Sequence, residues 1–143
     1  MKHRKQIFTH VLIILFFFYL IYQIYNLFSD IKYKLFGTFD INVATSIFLL
    51  LSTLNVIINF VLIIKLYYLK SDSILWVDIF FGYNIFEILI ATGYLILALS
   101  SIDWFSPLDT IKALGIRLTF ILVITTTFWV ISRIYLKKEL KRI

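Results

Sequence analysis

Four long apolar stretches, at about 7–28, 41–66, 74–98 and 111–135, take up most of the chain, and only short polar connections separate them. Each stretch has room for the roughly 20 apolar residues that a helix needs to cross the hydrocarbon of a bilayer. Hydrocarbon offers the backbone no hydrogen bonds, so an apolar run of this length that does not alternate with polar residues specifies a helix. The pattern therefore predicts an all-α integral membrane protein. It is expected to be one four-transmembrane-helix bundle spanning 1–143, with helices at about 7–28, 41–66, 74–98 and 107–135.

Capping residues set these limits. Ser106-Pro107-Leu108-Asp109 places a capping serine, a proline at the first helical position and an acid at the third, so the fourth helix is expected to begin near Pro107. Asp40 before the second helix, and Asp72 or Ser73 before the third, are polar residues suited to free backbone donors. Lys32 through Phe39 mixes aromatic and charged residues and reads as a loop or half-turn on the headgroups, as do Trp104 and Phe105. The first apolar run follows Met1-Lys2-His3-Arg4-Lys5-Gln6, a basic start like that of a secretory signal. A signal's apolar region is usually 7–15 residues and ends at a small-residue cleavage site. This run passes through Tyr19, Tyr22 and Tyr25 without such a site, so a retained helix is expected.

The hydrophobic content of 62% agrees with a bilayer protein, and the short connections have no room for a soluble catalytic domain. The absence of cysteine excludes disulfides and thiol chemistry. No metal site or cofactor is expected, since the two histidines have no companion ligands. The frequent Ile, Phe, Tyr, Asn and Lys are the usage of an AT-rich genome, which points to a bacterial inner membrane.

Charge adds the topology. Of the 14 Lys and Arg residues, ten lie in the N-terminus, the connection holding Lys65 and Lys70, and the C-terminus. Basic residues near helix ends stay cytoplasmic, so an N-in/C-in arrangement is expected, and an even number of crossings requires both termini on one side. The net charge of +6 is juxtamembrane, which favours anionic lipid headgroups over nucleic acid.

The candidate chemistry is intramembrane. Glu87 lies near the middle of the third stretch, where an unpartnered acid costs a few kcal/mol or neutralises itself, and such residues are functional candidates by default. Asn84, Glu87, Ala91, Tyr94 and Ala98 share one helical face, with Tyr83 beside it. Ser52, Asn55 and Asn59 share a face of the second helix. Antiparallel neighbours lie level where their residue numbers sum to about 139, which sets Ser52 beside Glu87 and Asn55 beside Asn84. The two stripes form either a structural clasp or a site for a proton, a cation or a polar group. Alternatively, Glu87 faces a partner subunit.

Arg117, on the outer half of the fourth helix, lies about five residues or ~8 Å outside the level of Glu87. It either reaches inward to Glu87, bonds Gln23 and Tyr94, or extends to the headgroups. Asp78 is on the opposite face from Glu87 and is expected to pair at the cytoplasmic interface with Lys65, Lys70 or the basic C-terminus. Intramembrane protease motifs are absent. A non-enzymatic accessory subunit, regulator or immunity-type protein is therefore expected, bound to another membrane protein or to a second copy. A transporter or channel subunit built around Glu87 is the alternative, and a lipid enzyme using Asp78 is third.

Overall fold

The protein is described by a computed structural model covering residues 7–36, 43–68, 71–100 and 107–141. Four helices run through them: α1 (Ile7–Phe36), α2 (Val43–Tyr67), α3 (Ser73–Ser100) and α4 (Pro107–Leu140). All four are long and apolar enough to cross a membrane, as befits a multi-pass membrane protein.

Helix α1 corrects the expected loop. It continues through Lys32 to Phe36, because no proline or glycine interrupts the chain before Gly37, a residue suited to the position just after a helix. Helix α4 starts at Pro107 and extends past Tyr135 through Lys137 and Lys138. The expected caps Asp40 and Ser106, the aromatics Trp104 and Phe105, and Lys70 lie outside the described residues.

Consecutive helices pack in sequence order, α1 on α2, α2 on α3 and α3 on α4, while α1 and α4 meet over a short length. That short contact lies at the end of the bundle holding both termini. There the Phe8 and Tyr135 rings stack with centroids 4.5 Å apart, and the Thr9 hydroxyl donates to the Glu139 carboxylate. The buried core occupies the same half: Leu12 and Phe16 of α1, Leu62 and Leu66 of α2, Val77, Phe80 and Phe81 of α3, and Leu136 of α4. Phe16 packs edge-on to Phe80 at 5.0 Å and to Phe81 at 6.1 Å. Such pairs add about 0.5–1.5 kcal/mol beyond simple burial.

The α2–α3 turn is tied at this end too. Lys65 pairs with Asp72, not with the expected Asp78, because Asp72 sits in the adjoining turn. The Ser73 hydroxyl does not cap its own helix; it donates to the Lys65 carbonyl at 2.8 Å, satisfying a free acceptor in the last turn of α2. Asp78 faces α4, where the Trp129 indole donates to it at 2.7 Å and Arg133 approaches to 3.4 Å. Of its expected partners among the described residues, Arg133 is the one that pairs with it.

Toward the opposite end the described residues of α4 lose their burial. Between Ile111 and Ile131 no side chain of α4 is buried, and only a stripe that includes Leu114, Leu118, Leu122 and Thr125 is half-buried. Thr119, Thr126 and Thr127 bond back to carbonyls of their own helix and hold no neighbour. Lipid is as apolar as the core, so truncating a core residue here costs lost contacts and the void they leave, with little transfer energy. Leu62→Ala is expected to destabilise by about 2 kcal/mol, the lower end for buried leucines. Phe120→Ala, at a position 67% exposed, should change stability by less than about 0.5 kcal/mol. Thermal unfolding in mild detergent measures both.

Candidate functional site

Above the apolar core, toward the open end, three helices turn polar side chains inward at one level. Asn84 of α3 is buried and sits at the centre. Its Oδ1 accepts from the Tyr19 hydroxyl of α1 at 3.0 Å and from Asn55 Nδ2 of α2 at 3.2 Å. Its Nδ2 donates to the Phe80 carbonyl one turn back at 2.7 Å and to Asn55 Oδ1 at 3.4 Å. Asn55 Nδ2 also donates to Glu87 Oε2, and the Ser52 side chain is hydrogen-bonded to the same carboxyl. Ser52, Asn55, Asn84 and Glu87 thus form one cluster, which Tyr19 extends to α1.

A second knot lies deeper. Asn59 is fully buried, and its Nδ2 donates to Gln23 Oε1 at 2.8 Å and to the Phe16 carbonyl at 3.3 Å, joining α2 to α1. Gln23 Nε2 and Asn59 Oδ1 are left without a protein partner. The two knots border a cavity of about 250 Å³ lined by residues of α1, α2 and α3, Glu87 among them. A separate apolar cleft of about 460 Å³ runs between α1, α3 and α4, walled by Leu15, Phe81, Ile121 and Phe128 among others.

The remaining expected members lie elsewhere. Tyr83 points to α2, where its hydroxyl donates to the Leu51 carbonyl at 2.7 Å. Tyr94 is exposed and packs edge-on against Phe48 at 5.3 Å, away from the cavity wall. Arg117 does not reach Glu87: it is exposed on α4, and among the described residues no ion pair joins the two. The reason is architectural, because α4 packs mainly on α3, while Glu87 faces α2 and α1. Gln23, a further expected partner of Arg117, is instead engaged by Asn59.

The contribution of α1 went unread in the sequence. Tyr19, Tyr22, Gln23 and Asn26 all line the cavity and recur at three- and four-residue steps, the spacing of one helix face. That spacing is visible in the chain. It is obscured by the tyrosines, which also suit a membrane interface.

Among the described residues no group of three or more His, Asp or Glu side chains assembles that could hold a metal ion. The arrangement can bind one unit of positive charge at Glu87, or hold three helices together through amides. Asn84→Ala removes four hydrogen bonds that tie α3 to α1, to α2 and to its own preceding turn. It should cost about 1–2 kcal/mol of bundle stability. Thr126→Ala removes only bonds within one exposed helix and should be near neutral. Thermal unfolding of both variants in mild detergent checks the order. Comparison of the chain with protein families, with curated proteins and with solved structures finds no match.

Proposed function

We propose that this chain is a small non-enzymatic membrane protein that acts as an accessory subunit, regulator or immunity-type protein through contacts between helices. The observation that carries the reading is the outer half of α4. A helix in a closed four-helix bundle packs against two neighbours, whereas α4 leaves α1 beyond the terminal end and keeps only α3. Its free face carries a shallow depression at Gly115 and Thr119, flanked by Lys112, Ile116, Phe120 and Val123. Adding a Cβ at Gly115 would meet nothing within 4 Å, so this small-residue notch is unused inside the chain. Small residues four apart let another membrane helix approach closely. Another membrane protein or a second copy of this chain is the fitting partner.

The non-enzymatic part of the reading is supported by how the interfacial acids are used. Asp78 is engaged by Trp129 and Arg133, and Glu139 by Thr9, which are structural ties between helices. The proposed membrane is the inner membrane of a bacterium, with both termini cytoplasmic. Supporting that orientation, exposed Lys137, Lys138 and Lys141 gather at the terminal end, where each basic residue gains about 1 kcal/mol from anionic headgroups.

A second reading, a small transporter or channel subunit, is favoured by the polar cavity around Glu87. Ion flux in proteoliposomes that is unchanged in Glu87→Gln would remove it. The subunit reading is tested by position, using the absence of native cysteine. Thr119→Cys on the free face of α4 is expected to cross-link under oxidation in native membranes, to a second copy or to one defined partner. Ile57→Cys, on an exposed face of α2, should not. Equal cross-linking at both positions, or none at Thr119→Cys, would overturn the proposal.

A further inference from the structure

A cation and an apolar cleft share one face of α4. Arg117, Ile121, Ile124 and Phe128 recur at steps of four, three and four residues, so they stack on one side of the helix. Ile121, Ile124 and Phe128 form one wall of the cleft of about 460 Å³, and Leu15 and Phe16 of α1 form the facing wall. Arg117 stands one turn beyond Ile121, exposed, and among the described residues it forms no ion pair. The depression at Gly115 and Thr119 is on the opposite face of α4 and takes no part.

The taper and the wall chemistry limit what can fill this cleft. At its narrow end the rings of Phe16 and Phe128 stand 6.5 Å apart between centroids, less than the roughly 10 Å that an α-helix occupies. A slender chain fits where a helix does not. The exposed side chains of Leu15, Ile121 and Ile124 follow the rim, so the cleft faces lipid sideways between α1 and α4. Tyr19 and Asn84, which carry polar groups on its walls, are bonded to each other. An empty apolar space would forfeit the contacts of its lining, and hydrocarbon restores them.

Depth supplies the second part of the match. Arg117 and Lys137 lie about 30 Å apart along α4, the thickness of the hydrocarbon layer. With Lys137 in the headgroups at the terminal end, the Arg117 side chain tilts toward the N-terminal end of its helix and reaches the headgroups of the other leaflet. From that level the cleft face runs back about 16 Å along the axis to Phe128, the direction an acyl chain takes from its headgroup.

We propose that the cleft between α1 and α4 holds one acyl chain of an anionic phospholipid, drawn from the leaflet opposite the termini, with its phosphate on the Arg117 guanidinium. Guanidinium and phosphate pair through parallel N–H···O bonds, and the pair is stronger beside hydrocarbon than in water. A zwitterionic headgroup would set its own ammonium next to the same guanidinium, so a net negative lipid is preferred. The bound chain gives α1 and α4 the contact that their side chains do not make along this stretch. The inference uses neither the depression on α4 nor Glu87, and so stands apart from both readings of function.

The test uses the full chain in mild detergent, stripped of co-purifying lipid, with phosphatidylglycerol and phosphatidylcholine as probes. Native mass spectrometry gives the affinity for the first lipid bound. Phosphatidylglycerol is expected to bind about fivefold more tightly, the gain from one basic residue near an anionic headgroup. Arg117→Gln should remove that preference without changing thermal unfolding in lipid-free detergent, Arg117→Lys should retain most of it, and Lys112→Gln, on the opposite face, should keep it. A phosphatidylglycerol with a mid-chain diazirine locates the tail. Its photolabel is expected on peptides from both walls, around Leu15 and around Ile124, and should be lost in Ile124→Trp, which fills the cleft. Equal affinity for the two lipids, an undiminished preference in Arg117→Gln, or label spread over the exposed faces of all four helices would each overturn the proposal.

Discussion

Hydrocarbon offers no hydrogen bonds, and each polar group carried into it must find its partner within the protein or bring water along. For the backbone this requirement produces four uninterrupted helices. For side chains it decides which helices meet. Asn84 joins α3 to α1 and α2 because its amide has four bonds to make, and Tyr19 and Asn55 stand at the right height to make three of them. Asn59 does the same between α2 and α1. Single contacts of this kind between membrane helices average well under 1–2 kcal/mol. Their value here is positional, since they fix the rotation of α1, α2 and α3 about their own axes.

Packing follows these ties and the interfacial ones. Without a hydrophobic drive between helices, close contact depends on complementary shape, and the aromatic core of Phe16, Phe80 and Phe81 supplies it in the terminal half. Among the described residues, helix α4 is tied there, through Glu139, Trp129 and Arg133. Beyond that level Thr119, Thr126 and Thr127 are satisfied by their own helix, and Lys112 and Arg117 are exposed. Nothing polar then draws it toward α1, and its outer half is left with one neighbour. The open end is a consequence of where the polar groups were placed along α4.

The helical class and the number of spans are legible in the sequence, because apolar length and period are local properties. Depth counting also pairs Asn55 with Asn84, since two helices joined by a short turn have few registers available. The exact ends were less legible. Helix α1 continues to Phe36 because polarity at Lys32 and Lys34 marks the edge of hydrocarbon, which is not where a helix must stop. Arg117 shows the deeper limit. Level counting gives its height but not the direction in which it points, and that direction depends on which helix α4 packs against. A contact between Arg117 and Glu87 needs α4 to stand beside the α1–α2 side of α3, whereas it packs mainly on α3 itself. The missing contribution of Tyr19 and Gln23 has the same origin, because nothing local says that α1 stands on the Glu87 side of α3.

The open bundle changes the meaning of Glu87. In a closed bundle an acid among amides would be sealed, and a neutral carboxyl bonded to Asn55 would complete the account. Here the same carboxyl stands on the wall of a polar cavity, and among the described residues no lysine, arginine or histidine lines that wall. A purely structural clasp explains Asn55 and Asn84, whose bonds run from helix to helix. Gln23 belongs to the clasp too, since its Oε1 accepts from Asn59 and its amide lies beside the Tyr19 hydroxyl. Glu87 stands at the boundary, bonded to Asn55 of the helix-joining cluster and facing the cavity.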